Sequence, residues 1–415
     1  MEVSFGLSSK GDTFLSRVAS ASNQGLSNAK KAKQDEFYTQ YVDIQKEVEA
    51  YLEFDPDTFR GKVVYCNCDD PFESNFFKYF AANFNKLGLK RLISTSYDGS
   101  PIAGQGALFP EYNEGNGTRR KPKALAVILD HVKDEDGDGA ANITDVELFL
   151  KRNKAARTAL KGDDIYPGGD FRSPDCLALL RQADIVVTNP PFSLFREYVA
   201  QLVEHTKRFL IIGNKNAITY KEIFPLIKAN ELWTGVTAFS GGMWFIADYE
   251  GKYEKTVDGV KLINVPAIWM TNLDHGRRHQ KLPLMTMEDN LRYSKHKEIN
   301  GKAEYDRYEN YDAIEIPFTD AIPSNYEGVM GVPITFLDKY NPEQFEIAGT
   351  TESNDRDNYG RTRVYTSQEC RAAYERLFSK PGVYDLNASG VVSGTKVYKR
   401  VLIRHRTQPT KGTKK

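Results

Sequence analysis

Ile185-Val186-Val187-Thr188-Asn189-Pro190-Pro191-Phe192 is the stretch on which the reading of this chain turns. Its β-branched apolar run predicts a strand buried on both faces, the pattern of a parallel sheet. The strand must stop at Asn189: neither proline can donate to a ladder, and each holds the residue before it extended. Leu194, Tyr198 and Leu202 follow at helical spacing. A side-chain amide, a stiff backbone carbonyl and an aromatic ring therefore gather at the carboxyl end of a strand. In open α/β sheets that is where ligands bind.

One chemistry suits this grouping. An exocyclic amine conjugated to a ring is a poor nucleophile, because its lone pair is delocalised. Two acceptors aimed at its hydrogens favour the pyramidal, nucleophilic form, by preorganised electrostatics rather than by strong-base catalysis. The side-chain oxygen of Asn189 and the carbonyl of Pro190 form such a pair, Pro191 stiffens the turn, and Phe192 offers a stacking face. The motif resembles the Asp/Asn-Pro-Pro-Tyr/Phe signature of S-adenosylmethionine-dependent amino-methyltransferases. A strand that merely ends in a proline turn is the structural alternative.

A chain of 415 residues accommodates two domains, or one large α/β domain with additions. No apolar run is long enough to cross a membrane and no signal peptide is expected. The four cysteines (Cys66, Cys68, Cys176 and Cys370) show no zinc spacing and are expected as reduced thiols, with the cytoplasm as compartment. Since 56 Lys and Arg balance 56 Asp and Glu, any nucleic-acid surface must be a local patch.

Upstream of the central stretch, residues 1–34 read as a flexible arm rich in Ser, Asn and Gly. Lys31 and Lys33 near its end are candidate phosphate contacts. A helix is expected through Tyr41, Ile44, Val48 and Tyr51. Phe37-Tyr38-Thr39 resembles the aromatic-Tyr-Thr element that precedes the nucleotide-binding strand in many adenine methyltransferases. There it helps hold the methionine end of the cofactor. Val63–Cys68 reads as the first buried strand, and Phe76, Phe77, Phe80 and Phe84 as the apolar face of the next helix. A strand, a polar turn and a helix N-terminus make a place for a charged ligand. Asp70-Pro71-Phe72 resembles the cofactor loop of methyltransferases, with Asp70 placed to hold an ammonium group. Ser74-Asn75 stand where that loop usually has glycines, and Asn tolerates left-handed geometry. An N-cap role for Asp70 is the alternative.

Leu92–Tyr97 and Ala124–Leu129 are further strand candidates within or beside an insertion over about residues 98–165. Inside it, Asp134, Asp136 and Asp138 occupy positions one, three and five of an EF-hand-type loop, with Gly139 at six and Asp145 at twelve. The loop also resembles those of dockerin modules, and calcium in a structural role is expected there. Gly169-Asp170-Phe171 resembles the element in which Asp accepts from the cofactor's adenine amine and Phe stacks on its ring. A turn with a core Phe is the alternative. Downstream, Phe209–Ile212 is a fifth strand, Asp258-Gly259 signals a hairpin, and Gly241–Ile246 with Val265–Met270 read as late strands pairing in an antiparallel hairpin. Past Asn272 the composition shifts, with basic His275–Lys281. The tail Lys396–Arg406 alternates basic and apolar residues, as an edge strand with a cationic face would. Arg277, Arg278, Arg404 and Arg406 are candidate DNA contacts.

Taken together, Asp35–Gln40, Val63–Phe77, Gly169–Phe171, Val186–Val199 and the Lys399–Arg404 end resemble the EcoRI-type family of adenine-specific DNA methyltransferases. The resemblance implies a Rossmann-like α/β methyltransferase sheet with helices on both faces and a C-terminal target-recognition region. The boundaries expected are 1–34, 35–272 and 273–415. It implies S-adenosylmethionine as methyl donor and double-stranded DNA as partner, with adenine flipped out and methylated at N6. A monomer is expected, in a system with a cognate restriction endonuclease. On this reading Tyr38, Thr39, Asp70, Phe72, Asp170 and Phe171 bind cofactor, and Asn189, Pro190, Pro191 and Phe192 are catalytic. Two rivals are weighed: the same transfer to an RNA base or a protein glutamine, and a non-catalytic calcium-dependent interaction module built on the acidic loop.

Overall fold

The computed structural model describes residues 38–71, 74–97, 124–139, 142–153, 156–237, 241–246, 253–351 and 359–406. Lys31, Lys33, Phe72 and the arm over residues 1–34 lie outside them. In chain order the first elements are β1 (Tyr38–Thr39), α1 (Tyr41–Phe54), β2 (Val63–Cys66), α2 (Asn75–Ala82), β3 (Arg91–Thr95), β4 (Leu125–Leu129), α3 (Ile143–Arg152) and β5 (Arg157–Ala159). There follow α4 (Pro174–Gln182), β6 (Ile185–Thr188), α5 (Phe195–Glu204), β7 (Arg208–Asn214), β8 (Trp233–Thr234), β9 (Met243–Ile246), β10 (Lys255–Val257), β11 (Val260–Val265) and β12 (Ala267–Thr271). The last strands are β13 (Ile314–Glu315), β14 (Met330–Pro333), β15 (Phe345–Thr350), β16 (Val391–Val392), β17 (Thr395–Lys396) and β18 (Arg400–His405). Among the described residues no helix is long and apolar enough to cross a membrane. The chain forms two compact units. The first runs to Gln40 and adds Lys62–Gln201 and Phe245–Ile263; the second comprises Tyr41–Gly61, Leu202–Trp244 and the chain from Asn264 on. The span expected over 35–272 therefore contributes to both.

The first unit carries strands in the order β5-β4-β3-β2-β6. β2 lies parallel to β3 (Val63↔Arg91) and to β6 (Val64↔Ile185). All four residues of β2 and of β6 are buried, as their uninterrupted apolar runs require. Asp184 sets their common start: its carboxylate accepts from Val63 N at 2.8 Å and its own N–H donates to Val63 O. β4 and β5 pair antiparallel beyond β3, so the sheet is mixed, and this part of the expected insertion supplies sheet strands. Helix α2 starts where Ser74 Oγ accepts from Phe76 N and buries Phe76, Phe77, Tyr79 and Phe80. Helix α4 starts at Pro174 behind Ser173, whose hydroxyl accepts from Cys176 N.

β10 and β11 form the hairpin signalled by Asp258-Gly259, both residues having positive φ (49° and 80°). The other expected hairpin does not form. β9 pairs with β1 (Tyr38↔Ile246, Thr39↔Phe245), whereas β12 pairs with β7 and β8. Two apolar strand signals close in sequence say nothing about their partners, and here each finds a different one. The four cysteines form no disulfide; Cys66, Cys176 and Cys370 are buried and Cys68 half-buried. Burial pushes the Cys66 thiol well up, as for an inert core group.

In the second unit β12 runs antiparallel to β7 (Ala267↔Asn214) and to β8. Helix α1 buries Ile44, Glu47, Val48 and Tyr51. The Glu47 side chain accepts from Val236 N at 2.7 Å and Thr237 N at 2.8 Å, so a buried carboxyl group is met by backbone donors. His275 is buried, its Nε2 facing Thr234 O at 3.0 Å, so that nitrogen carries the proton. Burial lowers this imidazole to about 4; the Thr234 carbonyl opposes the shift, Arg278 adds to it, Asp274 opposes it and Arg277 adds to it. A base whose folded value lies below its unfolded one is protonated first in the unfolded chain. Stability is then lost as pH falls through the window from 6.5 to about 4, by about 3 kcal/mol. Urea unfolding at pH 7 and pH 4.5 should show this loss, and His275→Gln should reduce it; an unchanged pH slope in the variant would remove the assignment to His275.

The C-terminal tail is not an edge strand. β18 sits inside the order β13-β14-β18-β15, with antiparallel partners on both sides. Val401, Leu402 and Ile403 are buried. Its cationic residues meet carboxylates: Arg400 pairs with buried Glu315 and Arg404 with Glu346 at 2.9 Å. Alternation of basic and apolar residues marks one buried side, but it does not distinguish an edge from an interior strand.

Candidate active site at the carboxyl ends of the parallel strands

β2 lies between β3 and β6, and the chain visits β3 before β6, so strand order reverses at β2. Such a switch point opens a crevice at the carboxyl ends. Here the backbone turns sharply: Cys68 adopts φ +64°, and Pro71 is buried. Asn67 is fully buried, and its Oδ1 accepts from Cys68 N (2.9 Å), Thr95 Oγ1 (3.1 Å) and Tyr65 OH (3.2 Å). The hydroxyl of Thr188, the last residue of β6, bonds both Asn67 O and Asp69 Oδ2. Ser74 Oγ bonds Asp69 Oδ1 at 2.8 Å, and Ser94 Oγ bonds Asp69 O at 2.6 Å. The ends of β2, β3 and β6 and the start of α2 are thus tied into one polar knot around Asn67 and Asp69.

The motif Asn189-Pro190-Pro191-Phe192 leaves directly from Thr188. Asn189, Pro191 and Phe192 are half-buried and Pro190 is buried. A single helical turn (Phe192–Leu194) then leads into α5. Thr39 lies in β1, its carbonyl accepting from Asn75 Nδ2 at 2.8 Å, which brings the Tyr38-Thr39 element to the start of α2. Asp70 is half-buried and accepts Ser74 N through its carbonyl. It does not cap the helix; Ser74 does, with φ −62°. The left-handed geometry weighed for Ser74-Asn75 falls instead on Cys68, so the loop closes without glycines at 74 and 75.

Gly169 (φ +80°) packs on the backbone of Ser96 at the end of β3, placing the Gly-Asp-Phe element beside the same crevice. Asp170 is buried and both its oxygens take hydrogen bonds from Arg172, at 2.9 and 2.8 Å. Arg172 also reaches Glu197 at 2.8 Å. Phe171 is buried edge-on against Tyr198, with ring centroids 5.0 Å apart. In this structure Phe171 packs in the core and Asp170 holds Arg172 beside the crevice.

Asp134, Asp136 and Asp138 bring carboxylate oxygens within 4.8 Å of one another at the surface. Asp145, expected as a fourth ligand, turns to backbone donors in this structure. It is buried, and its carboxylate accepts from Asn142 N (2.7 Å), Glu135 N (2.6 Å) and Asp136 N (3.1 Å). Those bonds hold its carboxyl below the usual range and complete the capping box of α3.

The candidate DNA-contacting arginines of the second unit divide. Arg278 is buried, with its guanidinium 3.5 Å from the Trp233 ring centroid and bonded to Asp274 and Asn230. Arg277 bonds Val236 O and pairs with Asp338 at 2.7 Å. Arg404 and Arg406 are exposed, the first paired with Glu346 and the second donating to Phe345 O at 3.2 Å. Asn67, Asp69 and Thr188 carry no site role in the reading of the sequence. The doubled Asp69-Asp70 was the available signal, and burial rather than spacing selects Asp69.

The class defined by this fold and site is an α/β protein with a candidate ligand site at a strand-order switch point. A family model described as Adenine-specific methyltransferase EcoRI matches residues 25–406. The Type II methyltransferase M.EcoRI of Escherichia coli is 44% identical over 339 residues, 79% of this chain and 89% of that protein. M.MpnI of Mycoplasma pneumoniae is 34% identical, over 78% of this chain and 84% of its own length, and M.MgeORF184P of Mycoplasma genitalium matches to the same extent. No solved structure gives a significant match. The chain belongs to the EcoRI-type family of adenine-specific DNA methyltransferases. It is an enzyme, which sets aside the non-catalytic interaction module.

Proposed function

We propose that this enzyme transfers methyl from S-adenosylmethionine to N6 of an adenine flipped out of duplex DNA, at the crevice where β2, β3 and β6 end. The observation that carries the reading is Thr188. One buried hydroxyl ties the Asn67–Asp69 turn to the residue from which Asn189-Pro190-Pro191-Phe192 departs. A cofactor held by that turn and a base held by that motif would lie side by side. The turn suits the amino-acid end of the cofactor: it runs into the N-terminus of α2, flanked by Thr39, Asp70 and Ser74. The cofactor supplies an electrophilic methyl carbon on a sulfonium.

Asn189 and the Pro190 carbonyl accept from the two N6 hydrogens and concentrate the lone pair on nitrogen. Phe192 stacks on the extruded base, offsetting part of an unstacking cost of a few kcal/mol. Asn189 and Pro190 would hold the amine facing that methyl, and after transfer the N6 proton would leave to solvent. The region from residue 273 on reads the duplex, with Arg404 and Arg406 at its surface and Lys31 and Lys33 on phosphates. Arg277 and Arg278 serve instead to anchor that region. The same reading makes the enzyme a monomer acting beside a cognate restriction endonuclease. Labelled methyl transfer to duplex DNA, with nucleoside analysis, tests it: N6-methyladenine is expected, and label in RNA or protein alone would overturn it.

The reading includes a calcium ion at Asp134, Asp136 and Asp138, in a structural role. The loop already closes on its own N–H groups, Asp134 accepting from Gly137 and Gly139. The gain from the ion is therefore small. Millimolar calcium should raise Tm by a few degrees, Asp136→Asn should remove the rise, and turnover should be unchanged in both. Equal melting of the parent protein in calcium and in chelator would exclude the ion.

A further inference from the structure

The Asn67 side chain has two ends, and only one is accounted for by the protein. Its Oδ1 meets Cys68 N, Thr95 Oγ1 and Tyr65 OH. Its Nδ2 is buried and has no hydrogen-bond partner among the described residues. Rotating the amide does not cure this. The two hydroxyls would suit either atom, but the Cys68 N–H can only donate, so the atom 2.9 Å from it must be the acceptor. Nor does a near neighbour accept: among the described residues no acceptor, the Asp69 carboxylate included, lies within hydrogen-bond reach of Nδ2. A donor this buried without a partner is rare in folded proteins, because its desolvation is uncompensated. Asn67 stands at the crevice end of β2, before the left-handed turn that leads to α2.

We propose that Asn67 is a cofactor-binding residue whose Nδ2 donates to the carboxylate of the amino-acid end of S-adenosylmethionine. This rests on the function proposed above and names a contact that the sequence motifs did not supply. Both features at this end of the sheet favour an anion: an amide donor, and the N-terminus of an eight-residue helix. The surrounding knot holds the amide in one orientation before the ligand arrives.

Calorimetric titration of the full-length protein with S-adenosylhomocysteine and with 5′-methylthioadenosine tests the contact. The second ligand keeps the adenosine and lacks the amino acid. Asn67→Asp keeps size and the Oδ1 acceptor but replaces the donor with a second acceptor. It is expected to weaken S-adenosylhomocysteine at least about tenfold and 5′-methylthioadenosine less than about twofold. Thr95→Val loosens the knot without touching Nδ2, and should affect both ligands alike. If Asn67→Asp does not fold, Asn67→Ala is read for the same ratio. Equal losses on both ligands, or no loss on S-adenosylhomocysteine, would overturn the proposal, the donor then serving a water or the fold. A parent protein that binds neither ligand would overturn the proposed function itself, which is a different result from an unselective variant.

Discussion

Asn189→Ala should lose methyl transfer by about a hundred- to a thousandfold in kcat while binding S-adenosylhomocysteine as the parent does. Removing one preorganised partner of a developing charge costs other enzymes about that much. The residue is half-buried where β6 ends, and it is held there by covalent sequence: Thr188 before it is locked into the Asn67–Asp69 knot, and Pro190 after it is buried. Alanine is compatible with an extended residue before proline, so the backbone is retained. Asn189→Asp gives the sharper comparison. It keeps acceptor oxygens for the amine and should retain measurable transfer, whereas Asn189→Leu, of similar bulk without an acceptor, should resemble alanine. Single-turnover transfer to duplex DNA separates chemistry from binding. Alanine turning over at the parent rate would remove Asn189 from the reaction.

The largest effect on stability is expected at Gly169. A Cβ there would stand 1.9 Å from Ser96 O and 2.8 Å from the Tyr97 Cα, with φ at +80°. Backbone atoms at the end of β3 cannot move aside without breaking the pairing to β4, since Ser96 N donates to Leu125 O. Gly61 provides the control. Its φ is +68°, but a Cβ added there would meet nothing within 4 Å. Gly61→Ala should therefore cost only the left-handed penalty, about 1–2 kcal/mol. Gly169→Ala adds a backbone clash and should cost about 4 kcal/mol or more, enough to deplete folded protein in a domain of ordinary stability. Urea unfolding of both variants measures the difference; equal costs would mean that the Gly169 loop is pliable.

Much of the frame was legible because it depends on local chemistry. Ile185–Thr188 had to be a buried strand, and Asn189-Pro190-Pro191 had to end it. Asp258-Gly259 had to turn a hairpin, because both residues tolerate positive φ. Phe76, Phe77 and Phe80 had to face a core. The motif order carried the family, since the elements recur along the chain at spacings that one short match would not supply. Less legible were partners. Nothing in Lys396–Arg406 shows that Glu315 and Glu346 stand beside its arginines, because those carboxylates are tens of residues away. Nothing in Asp69-Asp70 shows which carboxylate faces inward, because a turn with one left-handed residue at Cys68 reverses the ordinary alternation.

The sequence by itself determined the parallel strands β2, β3 and β6, the point at which β6 must break, and the identity of the groups released there, since these follow from the dihedral limits and hydrogen-bonding capacity of each residue. Tertiary structure alone decided that Asn67, Thr95 and Thr188 meet. Three strand ends separated in sequence become neighbours only when β2 pairs with β3 on one side and β6 on the other. The polar groups buried by that pairing must then satisfy one another, or a ligand.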